Sequence, residues 1–153
     1  MKVKVILSAL TLFFGGAVVC SAQSPHMGTW KLNEAKSHFA GKARNNTVVY
    51  EAAGDMTKVT VDGTDGSGAA VHNDWTGKFD GKYYDVNGSP TANKRSYTRV
   101  NNRTLTIREK QGGKVVLRGS ITVARNGKTR TVTTSGRDAK GKWIHNTAVF
   151  DKQ

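Results

Sequence analysis

The sequence predicts an all-β fold, an up-and-down antiparallel β-barrel of about ten strands. Three observations predict it. Apolar and polar residues alternate after residue 40, with no long helical period. Gly-Lys dipeptides recur at the turns, the last three beginning at residues 113, 127 and 141. Short connections between consecutive strands favour a meander that closes on itself and so removes its own edges.

The predicted strands are taken in order along the chain. They cover residues 28–33, 46–53, 56–63, 69–77, 82–87, 94–100, 103–110, 114–124, 129–137 and 142–151. The longest connection joins the first strand to the second. There Asn33 can cap a short helix over residues 34–40, which would act as a plug or lid.

Turn chemistry predicts which residues of the last three strands face each other. An Asn126-Gly127 pair between alternating runs is a strong signal for a two-residue hairpin turn. It places Ile121 opposite Val132. A two-residue Lys140-Gly141 turn would place Val149 opposite Val132, and Thr147 opposite Thr134.

The preceding hairpin has two possible turns. A three-residue Gln111-Gly112-Gly113 turn places Ile107 opposite Leu117 and Leu105 opposite Gly119. We prefer it to a two-residue turn because it keeps the apolar residues on one face. That face is predicted to line the barrel, and it carries Leu105, Ile107, Leu117, Ile121, Val123, Val132, Trp143 and Val149, interrupted by Gly119, Thr134, Gly136, His145 and Thr147.

The inner face mixes aliphatic, small and polar residues. Such a face can enclose a ligand cavity or be filled by its own side chains, and small barrels do both. The mouth is expected where the first connection meets the turns that follow strands 56–63, 82–87, 103–110 and 129–137. Glu109, Asp138, Trp143 and His145 are predicted to point into that end. His145 is a candidate for orienting a polar ligand head, or a structural histidine.

The opposite end is predicted to be closed. If the first strand pairs with the last, Trp30 lies near Asp151 and Arg130. An Arg over a Trp face is a cation–π contact. Gly28-Thr29-Trp30 resembles the Gly-x-Trp signature of lipocalins, in which the Trp packs against a late-strand Arg at the closed end. Trp30 and Arg130 would have these barrel-closing places.

The longer segment from Gly28 to Asn33, with its repeated Asp-Gly-Lys turns, is similar to secreted bacterial lipocalin-like, calycin-type β-barrel proteins. The resemblance implies a binding protein of the lipocalin and fatty-acid-binding group. Asn101-Asn102 stands where lipocalins carry Thr-Asp-Tyr. The resemblance therefore carries over no particular ligand.

Residues 1–22 are predicted to be a secretory signal peptide. They begin with Lys2 and Lys4, continue with an apolar run and end in Cys20-Ser21-Ala22. A transmembrane anchor and a lipidated Cys20 are the alternatives. Cleavage would leave residues 23–153 as a single lipocalin-like domain, exported to a bacterial periplasm or beyond the cell. This domain has no cysteine, which excludes a disulfide framework.

Catalytic and metal-dependent functions lack a motif. Four scattered histidines show no zinc-ligand spacing, and no nucleophile motif occurs. We therefore expect no cofactor, no metal and no catalysis. The predicted function is binding or carriage of a small hydrophobic or amphipathic ligand in the lumen.

The net charge predicts a second possible role. The whole chain carries a charge of +13, and without Lys2 and Lys4 it is +11. Basic residues cluster in the strands over 94–124: Lys94, Arg95, Arg99, Arg103, Arg108, Lys110 and Arg118. This face could bind an anionic polymer or lipid surface, with a packed barrel interior. No specific nucleic acid partner is expected, and the oligomeric state is left open.

Overall fold

The computed structural model describes residues 23–137 and 140–153, and these form ten strands with one short 3-10 helix. The strands are β1 (Gly28–Leu32), β2 (Arg44–Ala53), β3 (Met56–Thr64), β4 (Ala70–Gly77), β5 (Tyr84–Asn87), β6 (Lys94–Asn101), β7 (Thr104–Gln111), β8 (Lys114–Val123), β9 (Thr129–Arg137) and β10 (Trp143–Lys152). Each predicted strand is confirmed to within two residues at either end.

The strands form a closed antiparallel barrel in which sequence neighbours pair and β1 pairs with β10. The fold class predicted from the sequence is therefore confirmed. Within the described ranges, no helix is long and apolar enough to cross a membrane.

The helix predicted over 34–40 is wrong. Only Glu34–Lys36 form a 3-10 turn. The chain then straightens because His38 forms an isolated bridge with Thr147 of β10, through N–H···O bonds of 2.7 and 2.8 Å. Backbone groups that pair with the barrel wall are not free to complete a helical turn.

The β8–β9 hairpin has the predicted register, but the predicted two-residue turn is wrong. The strands end and begin at Val123 and Thr129, and the Gly127 N–H donates to the Ala124 carbonyl at 2.9 Å. Ile121 pairs with Val132 and Val123 pairs with Arg130. Gly127 has φ of 70°, which its turn requires. The Asn126 side chain accepts a hydrogen bond from the Lys128 N–H at 3.0 Å.

The β7–β8 turn and the predicted cross-strand pairs are wrong, since Ile107 pairs with Gly119 and Leu105 with Ile121. The predicted inward face of these strands is nevertheless confirmed. Gln111 pairs with Lys114, so the turn has two residues and not three. A register shift between Glu109 and Lys110 then inserts one extra residue in β8. This bulge restores the parity, and Leu105, Ile107 and Leu117 all face inward, opposite Ile121, Gly119 and Glu109, respectively.

The β9–β10 register predicted from a two-residue turn is wrong by one residue. Arg137 pairs with Trp143, so five residues separate the strands, and Val132 pairs with Ala148. A shift of one residue reverses every side chain of a strand. Trp143, His145, Thr147 and Val149 therefore lie on the outer face, and Ile144, Asn146, Ala148 and Phe150 face inward. Asp138 lies outside the described residues.

The well-packed core occupies one end of the barrel, around the fully buried Trp30. Phe79, in the connection before β5, contacts the rings of Tyr50, Trp75 and Tyr97, with centroids 5.7 to 6.5 Å apart. Residues 23–27 pass over the same end, where the Trp30 indole N–H donates to the His26 carbonyl at 2.8 Å. This end is closed, as predicted.

Candidate ligand-binding lumen

The other end of the barrel contains an open cavity of about 340 Å³. Its mouth lies between residues 39–45, the β3–β4 turn and the β5–β6 turn, at the end where the sequence predicted it. One side of the wall is formed by inward residues of β7 to β10, which are Ile107, Glu109, Leu117, Ile121, Val132, Thr134, Asn146, Ala148 and Phe150. The other side is formed by residues of β2, β3, β4 and β6, which include Val48, Tyr50, Val61, Asn73, Arg95 and Tyr97. The interior is therefore not filled by side chains.

Arg130 lies at the floor of this cavity and is 2 % exposed. Its guanidinium carbon is 4.9 Å from the Trp30 ring centre, 4.9 Å from Tyr50 and 4.8 Å from Phe150. The predicted contact between Arg130 and Trp30 is thus confirmed. Three aromatic faces around one cation supply cation–π stabilisation where water is excluded.

The Arg130 guanidinium is nevertheless incompletely satisfied. Its Nε and Nη1 atoms are buried and have no hydrogen-bond partner. Burial lowers the pKa of Arg130, and the neighbouring hydroxyls of Tyr50 and Tyr97 oppose that shift. An arginine keeps its charge in proteins, so two strong N–H donors remain unpaired beside the cavity.

A second buried arginine on the wall has a counter-ion. Arg95 Nε donates to Glu109 Oε1 at 2.6 Å, and Arg95 Nη2 donates to Asn73 Oδ1 at 3.1 Å. Burial acts to lower the pKa of Arg95, but the net shift is upward because Tyr97 and Glu109 favour the cation. Burial also raises the pKa of the Tyr97 hydroxyl, which stays neutral.

Two further charged residues line the mouth. Arg44 lies 3.4 Å from the Glu34 carboxylate and stacks on Phe39 with its guanidinium carbon 3.8 Å from the ring centre. Asp65 accepts hydrogen bonds from its own turn, at Ser67 and Ala69. Among the described lining residues, this leaves Arg130 as the cation without an ionic partner.

The predicted lumen residues divide into three groups. Ile107, Leu117, Val132, Thr134 and Glu109 line the cavity, although Glu109 is engaged by Arg95. Leu105 faces inward but lies in the packed floor, fully buried. The remaining four predicted members lie on the outer face because of the β10 register, and these are Trp143, His145, Thr147 and Val149.

Sequence reasoning missed five polar side chains of the inner wall, namely Tyr50, Asn73, Arg95, Tyr97 and Asn146. Arg95 was expected on the basic outer surface. Its inward position follows from strand parity, because it pairs with Glu109, which was itself predicted to face inward. An opposite charge at that position was the signal that could have identified Arg95.

Comparison with known proteins supports the fold and leaves the ligand open. No protein-family model matches the chain, and the search of curated proteins gives no match. Among solved structures, the chain is similar to a Schistosoma mansoni fatty acid binding protein in complex with arachidonic acid. The TM-score is 0.61 at 18 % identity, covering 85 % of this chain and 97 % of that one.

A second similar structure is EF1p2_mFAP2b bound to DFHBI, with a TM-score of 0.48 and 12 % identity, over 84 % of this chain and 94 % of that one. The chain therefore has a closed ten-stranded antiparallel barrel fold similar to that of a fatty acid binding protein.

Proposed function

We propose that the barrel is a non-catalytic binding protein for a small, partly apolar acid held in its lumen. The observation that carries this proposal is Arg130, a buried cation with two unpaired N–H donors at the end of a largely apolar cavity. A carboxylate would accept charge-assisted hydrogen bonds there, which are about twice as strong as neutral ones.

The cavity shape supports the same ligand class. Its aliphatic wall offers Leu117, Val132 and Ala148 to a hydrocarbon body. A volume of about 340 Å³ is at the small end for ligand pockets and favours a short ligand. The similar Schistosoma mansoni protein holds arachidonic acid, which combines a carboxylate with a hydrocarbon chain.

The test compares matched acids and alcohols by calorimetry. We expect decanoate to bind at least about tenfold more tightly than decanol, because one charge-assisted hydrogen bond is worth about 1.5–3 kcal/mol. Arg130→Met should remove that preference while leaving decanol binding nearly unchanged. Arg103→Met, which removes an exposed arginine, is the control.

The preference for decanoate over decanol shows whether Arg130 binds the ligand or only closes the barrel. If Arg130→Met keeps the preference, Arg130 does not contact the head group. If the wild-type protein takes up no acid from hexanoate to hexadecanoate, the lumen function itself is rejected.

We further propose that the protein is exported after cleavage behind Ala22. The support is the charged start and apolar run of residues 1–22, which lie outside the described residues. Expression of the full chain, followed by N-terminal sequencing of the exported product, should give Gln23 first. Retention of Met1 in the cytoplasmic fraction would contradict it.

A further inference from the structure

The outer face of β7 to β10 presents two parallel rows of polar side chains. The first row runs across the four strands through directly paired residues, and these are Arg108, Arg118, Ser135 and His145. The neighbouring row consists of hydroxyl residues, and these are Thr106, Ser120, Thr133 and Thr147. Each row spans three strand spacings, roughly 14 Å.

Arg108 and Arg118 are a like-charged pair, and neither forms an ion pair with a carboxylate of residues 23–137 or 140–153. They lie directly opposite each other, and both are exposed. The only carboxylates on strands β7 to β10, all of which the structure describes, are Glu109 and Asp151. Glu109 faces the lumen, and Asp151 lies at the opposite end, bonded to Asn33. Facing like charges destabilise a sheet, and a bound anion would relieve that cost.

A depression of about 540 Å³ lies between the two rows and is lined by both. Its hydroxyl groups are held in place, since Ser120 Oγ is 2.9 Å from Thr133 Oγ1 and Ser135 Oγ is 2.6 Å from His145 Nδ1. Trp143 lies at the edge of the depression, and the guanidinium carbon of Arg118 is 5.0 Å from the centre of the Trp143 ring. The groove thus combines two exposed cations with hydroxyl groups that are hydrogen-bonded to their neighbours.

We propose that this outer groove binds an acidic polysaccharide. The carboxylate or sulfate groups of the polymer would bind Arg108 and Arg118, and its hydroxyls would bind the row of hydroxyl residues. Charge complementarity requires a polyanion, and a hydroxyl row beside the cations matches a polymer with both acid and hydroxyl groups. The site is independent of the lumen and lies on the other side of the same strands.

Two other polyanions fit the face less well. A lipid surface needs an apolar anchor. Among the described residues, Val100 is the strongly exposed large hydrophobic residue, and it lies on β6, outside this groove. Single-stranded nucleic acid is bound largely by stacking on aromatic faces. The adjacent ring, Trp143, already has Arg118 and Arg137 over it at 5.0 and 4.9 Å.

Calorimetry with polygalacturonate as the probe tests the proposal. The double variant Arg108→Gln/Arg118→Gln should bind it at least about tenfold more weakly than the wild type, since each arginine supplies a charge-assisted contact. The control, Arg103→Gln/Arg125→Gln, loses the same charge at exposed positions outside the groove. It should change the affinity by less than about threefold. Thr133→Val should weaken polygalacturonate binding and leave binding of polyphosphate unchanged.

Several outcomes would overturn the proposal. Equal losses in both double variants would mean that only net charge is sensed. Tighter binding of oligodeoxythymidylate or of phosphatidylglycerol vesicles than of polygalacturonate would assign the face to another partner. Binding of neutral dextran as tightly as of polygalacturonate would remove the role of the arginines. The variant Arg108→Gln/Arg118→Gln should remain folded. Removing two facing like charges should maintain or raise its melting temperature.

Discussion

The guanidinium carbon of Arg130 lies 4.9 Å from the centre of the Trp30 ring, joining the first strand of the barrel to the ninth across its closed end. The contact brings together residues 100 positions apart in the sequence, and both are almost completely buried. It closes the floor of the lumen and leaves a cation facing the ligand cavity. We therefore expect the Trp30–Arg130 pair to contribute to both the stability of the barrel and ligand binding.

Trp30 is expected to be the most costly aromatic residue to remove at this end. Trp30→Ala should lower the free energy of unfolding by about 3–5 kcal/mol, because it leaves a cavity and exposes the Arg130 cation to it. Urea denaturation checks this. Trp143→Ala, at the partly exposed outer ring, is the matched control and should cost clearly less. Equal losses would contradict the assignment of Trp30 to the core.

His26 is expected to make the protein sensitive to acid. It is completely buried, and burial, with the nearby charges of Arg130, Arg99 and Lys152, lowers its pKa from 6.5 to about 4. The pKa of His26 is lower in the folded state than in the unfolded state. The stability that neutral His26 contributes is therefore complete above about pH 6.5 and is lost as the pH falls through about 4. It is worth up to about 3 kcal/mol.

The measurement for His26 is the unfolding free energy between pH 7 and pH 4 for the wild type and for His26→Gln. The difference between the two curves should shrink as the pH falls, because glutamine does not titrate. Parallel curves would show that His26 is not desolvated in the folded protein.

Glu109 is expected to be needed because it compensates Arg95. Glu109→Gln leaves a cation that is 5 % exposed without its counter-ion, and should destabilise by about 3–5 kcal/mol. The double change Arg95→Met/Glu109→Leu should recover much of that loss, because both charges leave together. Thermal denaturation of the three proteins checks the order. An additive loss in the double variant would mean that the pair is not coupled.

Two inward glycines should respond differently to the same substitution. A Cβ on Gly119 would lie 2.2 Å from the Thr133 carbonyl oxygen, whereas a Cβ on Gly136 would meet its nearest atom at 3.4 Å. Gly119→Ala should therefore destabilise by about 1–3 kcal/mol, and Gly136→Ala should be tolerated. Chemical denaturation compares them, and similar losses would contradict the close approach at Gly119.

The β9–β10 register can be tested by disulfide formation. In a Cys20→Ser background, Val132→Cys/Ala148→Cys should oxidise readily, because directly paired residues lie within the Cα separation that a disulfide needs. Val132→Cys/Val149→Cys should not, since these side chains lie on opposite faces. Electrophoresis without reductant detects the disulfide. Crosslinking of the second pair alone would favour the register of a two-residue turn and contradict the observed one.

The strand positions could be predicted from the sequence because their signals are local. Alternation and turn glycines mark each strand within a few residues, and Gly127, with a φ of 70°, marks a turn whose flanking strands have the predicted register. The end of the short helix at Lys36 could not be predicted, because the pairing of His38 with Thr147 involves residues over a hundred positions apart.

The sequence by itself determined the barrel class, the ten strands, the closed end with Trp30 and Arg130, and the side of most inward residues. Only the tertiary structure decided which face of β10 is inward, because its two alternating sets, Ile144 to Phe150 and Trp143 to Val149, are almost equally apolar. It also decided that Arg95 is neutralised by Glu109 while Arg130 is not. Arg95 pairs directly with Glu109 on the neighbouring strand, whereas the strand neighbours of Arg130 are Val123 and Phe150, so the strand registers decide which arginine is compensated.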